Sequence, residues 1–92
     1  MIKLFLTDVD GVMTDSGMYY TESGDEFKKF NTKDGKGFEL LRNKNIKTGI
    51  ITSENTKIVL NRAKKLKVDY LFQGAINNKL SIINELCQKE KI

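Results

Sequence analysis

The stretch LFLTDVDGVMTD, residues 4–15, constrains this chain more than any other. Leu4, Phe5 and Leu6 form an apolar run that ends at once in Asp8 and Asp10, followed by Gly11. Side chains two positions apart on an extended chain point the same way, so both carboxylates face one side. Acidic side chains are rarely buried without a partner. A strand ending this way calls for a compensating cation.

The remaining pattern supplies the setting. Residues 2–7 are nearly continuous apolar, with Lys3 the exception, which predicts a strand covered on both faces in a parallel sheet. IKTGIIT (46–52) predicts a second strand and DYLF (69–72) a shorter third. A helix is expected over 36–43, with Phe38 and Leu41 on one face and Asp34 as its cap. A second is expected over about 55–67, with Val59, Ala63 and Leu66 as its apolar stripe and Ser53 or Asn55 as cap. A third begins near Asn78, with Leu80, Ile83 and Cys87 at helical spacing. GMYYTESGDEFKKFN places two aromatic-rich runs around the turn signal ESGD, so residues 17–31 read as a projecting β-hairpin. Strand and helix alternate elsewhere. The expectation is an α/β fold, a Rossmann-like parallel sheet with flanking helices, in a single domain over residues 1–92.

Composition narrows the function classes. Hydrophobic residues at 39% and charged residues at 30% are globular proportions, which excludes a disordered chain. Cys87 is the only cysteine, so no disulfide framework forms, and with no signal peptide the chain fits a reducing cytoplasm. No apolar run approaches the roughly 20 residues that span a membrane, so no membrane partner is expected. The net charge of +4 is concentrated in Lys57, Arg62, Lys64, Lys65 and Lys67. That run suits anionic metabolites. It lacks interleaved aromatics, so nucleic acid is not the expected partner, and its plain reading is a solvated helix face. The absence of His leaves acid–base work to carboxylates, Lys, Tyr or Cys. Only five residues follow Cys87, too few for a cysteine-phosphatase loop ending in Arg.

In an open parallel sheet, ligands bind beyond the carboxyl ends of the strands. Strand one ends in Asp8 and Asp10, strand two in Thr52 and Ser53, and Lys79 opens the helix after strand three. Paired carboxylates bind Mg²⁺ through hard oxygens, and one of them can attack phosphorus. A hydroxyl and an ammonium hold phosphoryl oxygens. Gly11 lets the backbone turn tightly beside an anion. Together these residues point to phosphoryl transfer with Mg²⁺ as the compensating cation. Each piece alone is ordinary. D-x-D-G also occurs in calcium loops and plain turns, a Thr closing a strand usually caps the next helix, and a Lys at a helix start is usually solvated.

LTDVDGVMTD resembles the first motif of the haloacid dehalogenase superfamily of phosphotransferases, GIITS its second and Lys79 its third. FNTKDGKGFELL, RAKKLKVDYLFQG and NKL are similar to the capless sugar-acid phosphatase branch, which acts on 3-deoxy-octulosonate 8-phosphate or nonulosonate (sialic acid, KDN) 9-phosphate. The same domain is found fused to some acylneuraminate cytidylyltransferases. The resemblance implies Asp8 as nucleophile and metal ligand. It implies Asp10 as acid, then base, with its main-chain carbonyl on Mg²⁺. Thr52 and Lys79 would hold the phosphoryl group. Asn31, Thr32, Lys33, Asp34 and Gly35 would contact substrate, and Arg62 would join a basic cluster meeting the sugar acid's carboxylate, across a subunit interface in a homo-tetramer. Glu54, where the second motif carries Arg or Glu, leans towards nine-carbon substrates and also suits a helix first turn. The branch's fourth motif, an acidic loop after a further strand, has no counterpart before Ile92. The expectation is therefore an N-terminal part of the fold lacking its C-terminal strands, with strand one left at an edge.

Two other classes compete. A receiver-type phospho-acceptor also clusters acids, Thr and Lys at strand ends, but its phosphorylated Asp closes the third strand, where DYLF runs into QGA without an acid. A catalytically incomplete fragment or assembly module would use the hairpin and basic helix for contacts alone.

Overall fold

The computed structural model describes residues 2–92. The element order is β1 (Leu4–Thr7), β2 (Tyr19–Tyr20), β3 (Glu26–Phe27), α1 (Thr32–Asn43), β4 (Lys47–Ile51), α2 (Lys57–Leu66), β5 (Tyr70–Phe72) and α3 (Lys79–Lys89). β1, β4 and β5 form a parallel sheet in that order, with Thr7 beside Ile50 and Ile51 beside Phe72. This is the α/β fold the sequence predicts, and it includes the hairpin: β2 and β3 pair antiparallel as a separate two-stranded sheet.

The core lies between the sheet and the first two helices. Val9, Met13, Phe38, Ile50, Val59, Ala63 and Leu66 make one buried cluster, with Phe30, Val68 and Leu71 packed against it. The predicted α2 stripe is therefore the buried stripe. Gly49 in the central strand is required by close approach. A Cβ there would lie 2.6 Å from Leu6 Cδ2 and 3.3 Å from the Tyr70 carbonyl, which puts a methyl group where a neighbouring strand already stands.

Four expectations need correction. β1 is not covered on both faces: Phe5 is 42% exposed and Ile2 70%. Among the described residues β1 has a partner strand, β4, on one side only, and Phe5 is covered in part, by the Phe38 ring edge-on at 6.0 Å. α1 begins at Thr32 rather than Lys36, because the cap is Asn31, whose Oδ1 accepts from the Lys33 amide at 2.9 Å, not Asp34. α2 is capped by Thr56, accepting from Val59 N, rather than by Ser53 or Asn55. In α3 Ile83 and Cys87 are half-buried beside the buried Leu86, while Leu80 is 71% exposed, so the expected stripe lacks its first member. No helix among the described residues is long and apolar enough to cross a membrane.

Candidate active site

The site is built on the end of β1. Thr7, the last residue of β1, and Val9, in the bend that follows, are buried, while Asp8 is half-buried and Asp10 exposed. The chain then coils tightly, with the Val9 carbonyl accepting from the amides of Val12, Met13 and Thr14 at 3.2, 2.8 and 3.2 Å. Gly11 sits at φ +80°, and a Cβ on it would lie 2.8 Å from Ser16 Oγ, so the turn selects glycine. Its amide points to Thr14 Oγ1 at 3.3 Å.

Each acid meets a lysine brought from elsewhere in the chain. Asp8 Oδ2 accepts from Lys79 Nζ at 3.3 Å across 71 residues, and Asp8 Oδ1 accepts from the Val9 amide at 2.7 Å. Asp10 Oδ1 accepts from Lys28 Nζ at 2.9 Å, and Glu26 lies 3.4 Å from the same nitrogen. The hydrogen bond to Asp10 pushes the Lys28 amine above its ordinary value; burial opposes this and Glu26 reinforces it. Lys28 follows β3 and was not singled out by sequence reasoning. Its neighbour Lys29 has the same side-chain chemistry, so the only available signal was its place on the alternating hairpin arm.

Thr52 is buried at the end of β4, next to β1, and its Oγ1 accepts from the Glu54 amide at 3.2 Å. Its hydroxyl proton is thus left to donate. Glu54 is half-buried, with its carbonyl accepting from Gly74 N at 2.9 Å. The structure brings Asp8, Asp10, Thr52 and Lys79 to one sheet edge. Asn31, Thr32, Lys33, Asp34 and Gly35 form a second group, the cap and first turn of α1. Arg62 turns to that group within its own chain, its Nη2 donating to the Asn31 carbonyl at 3.0 Å and its guanidinium lying 5.5 Å from the Phe30 ring centre. An open cleft of about 530 Å³ runs along Thr14, Asp15, Lys29, Phe30, Asn31 and Asp34. It lies beside the acids rather than over them.

The donor set fits Mg²⁺ in part. The Asp8 carboxylate and the Asp10 main-chain carbonyl are hard oxygens, and Mg²⁺ commonly takes one or two carboxylates and keeps several waters. No group of three or more His, Cys, Asp or Glu residues gathers among the described residues. A cation held here would therefore be mostly hydrated.

No family model matches the chain. A curated relative, the 3-deoxy-D-manno-octulosonate 8-phosphate phosphatase of Yersinia pestis, is 38% identical over 96 residues, covering 99% of this chain and 51% of the relative. The crystal structure of the enzyme of that name from Moraxella catarrhalis, in complex with magnesium, phosphate and KDO, superposes with a TM-score of 0.90 at 37% identity, covering 99% of this chain and 52% of that one. A structure described as a haloacid dehalogenase superfamily (subfamily III A) hydrolase from Legionella pneumophila gives a TM-score of 0.91 at 30% identity, covering 99% and 50%. The chain spans about half the length of the curated relatives it matches.

Proposed function

The chain belongs to the haloacid dehalogenase superfamily, in the family of the 3-deoxy-D-manno-octulosonate 8-phosphate phosphatases, and on that premise we propose that it serves a Mg²⁺-dependent hydrolysis of a sugar-acid phosphate. The observation that carries the reading is the Lys79–Asp8 contact of 3.3 Å, which joins two motifs 71 residues apart at one strand end.

Asp8 attacks phosphorus, its carboxylate oxygen forming the new bond as the bond to the sugar oxygen breaks. Asp10 gives a proton to the departing sugar oxygen. It then takes a proton from the water that splits the aspartyl-phosphate and frees Asp8. Thr52 donates its hydroxyl proton to a phosphoryl oxygen and Lys79 neutralises a second. Bound Mg²⁺ would be held by the Asp8 carboxylate and the Asp10 carbonyl, and would offset phosphoryl charge. The residues of the α1 cap and first turn, Asn31 to Gly35, contact the sugar from the neighbouring cleft, and Arg62 holds that segment.

The Yersinia and Moraxella relatives carry the eight-carbon substrate in their names, which favours 3-deoxy-octulosonate 8-phosphate. Glu54 favours a nonulosonate 9-phosphate as the second reading. Phosphate release from each sugar acid, in Mg²⁺ and with Asp8→Asn as control, decides between them. Release from neither, at any Mg²⁺ concentration, rejects the hydrolase reading. It would favour a non-catalytic assembly module. The proposal places the reaction in the cytoplasm, which the free thiol of Cys87 supports. It also includes a homo-tetramer, supported by the exposed Met18, Tyr20 and Phe27 of the hairpin region. Sedimentation at a single monomer mass would remove that part.

A further inference from the structure

Lysines ordinarily keep their ammonium in water while the stem lies on apolar surface. The Lys28 side chain is instead covered along most of its length. It is 7% exposed, whereas that of Asp10, the acid it reaches, keeps 42%. The pair therefore does not exist to shelter the acid. The hairpin delivers an ammonium to a carboxylate just past the end of β1, 18 residues earlier in the chain. Glu26, two residues before Lys28 on the same arm, lies 3.4 Å from the nitrogen and steadies it from a second side. A charge-assisted hydrogen bond from a donor fixed in this way restricts its acceptor to one orientation.

We propose that Lys28 is a positioning residue for Asp10, holding the carboxylate in one rotamer and making the seating of the hairpin a condition for proton transfer at the strand end. This rests on the reading of Asp10 as acid and base. An acid displaced by about an ångström loses on the order of 100-fold in rate while binding is little changed.

A double-mutant cycle on kcat with 3-deoxy-octulosonate 8-phosphate in Mg²⁺ tests it. Lys28→Met lowers kcat by about 10- to 100-fold with KM within about two-fold, and Lys28→Arg recovers most of the loss. The double variant D10N/K28M turns over within about two-fold of D10N alone, because Lys28 acts only through Asp10. Losses that multiply instead would make Lys28 a scaffold residue and overturn the proposal. If K28M does not fold, Lys28→Gln carries the same comparison.

A second readout is independent of turnover. The Hα–Hβ couplings of Asp10 in the NMR spectrum report a single χ1 rotamer in the wild type and K28R, and averaged rotamers in K28M. Averaging already in the wild type overturns the proposal, whatever the chain hydrolyses. A single wild-type rotamer that K28M averages, in a chain with no turnover, sinks the hydrolase reading and leaves the positioning intact.

Discussion

The three-stranded sheet and the two-stranded hairpin lie a few residues apart in the chain and are held by different forces. In the sheet and its helices, Val9, Ile50 and Val59 are at most 1% exposed. Fully burying a side chain of that size contributes about 1.5–3 kcal/mol. The hairpin leaves Met18, Tyr20 and Phe27 at 72%, 54% and 50% exposure. Its order comes from directed contacts: Tyr19 stacked on Phe27 at 5.6 Å, the Tyr19 hydroxyl on Asp15 at 3.0 Å, and Lys28 on Asp10. A lone two-stranded hairpin is marginal in water. The contrast teaches a division of labour. Apolar burial sets where Asp8 stands, and polar ties set how the hairpin meets the acids.

Substitutions can break that contrast, and the largest expected effect is on chemistry. Asp8→Asn lowers phosphate release by about a thousandfold or more, with an unchanged melting temperature, if the strand end is built by burial alone. Next is Ile50→Ala in the core, which costs about 2–5 kcal/mol by urea denaturation, whereas Tyr20→Ala in the hairpin stays within about 0.5 kcal/mol. Equal costs at the two sites would erase the distinction. Asn31→Ala, at the junction of hairpin and helix, costs about 1 kcal/mol through the lost cap of α1, and differential scanning calorimetry reads it.

The smallest effect is confined to the hairpin and depends on pH. The Gly17 amide, then the Tyr19 hydroxyl, hold the Asp15 carboxyl below its ordinary value of 3.8. A depressed acid contributes order that is present above pH 3.8 and lost as pH falls through the folded-state value. The same hydrogen bond pushes the Tyr19 phenol above 10.0, so that contribution is present below pH 10.0 and fades as pH rises through its folded value. Nuclear Overhauser contacts between the Tyr19 and Phe27 rings should therefore persist across the neutral range and weaken at both extremes. In Asp15→Asn the acid limb should disappear.

Much of this was legible from local pattern. The strand segments, the Val59–Ala63–Leu66 stripe and the hairpin each follow from a period of two or about 3.6, read over a few residues. The misses have identifiable causes. Asn31 and Asp34 can both cap a helix, and Gly35 and Gly37 argue locally for a late start. Burial of Phe38 and the Arg62 bond to the Asn31 carbonyl favour the earlier one. Ser53, Asn55 and Thr56 are likewise rival caps. The Gln73 side chain, accepting from the Thr56 amide at 2.8 Å, settles the choice from 17 residues away.

The acids show the same boundary most clearly. That a buried strand runs straight into the acids Asp8 and Asp10 is written in residues 4–10 alone. The sequence pattern placed Lys79 at the same strand ends, but which acid it meets, and that Lys28 meets the other, was decided by the tertiary structure. Lys79 arrives from 71 residues away and Lys28 from 18. Alternation along the hairpin arm sets Lys28 apart from Lys29, but that Lys28 lands on Asp10 depends on how the hairpin packs against the strand end, which no local period contains.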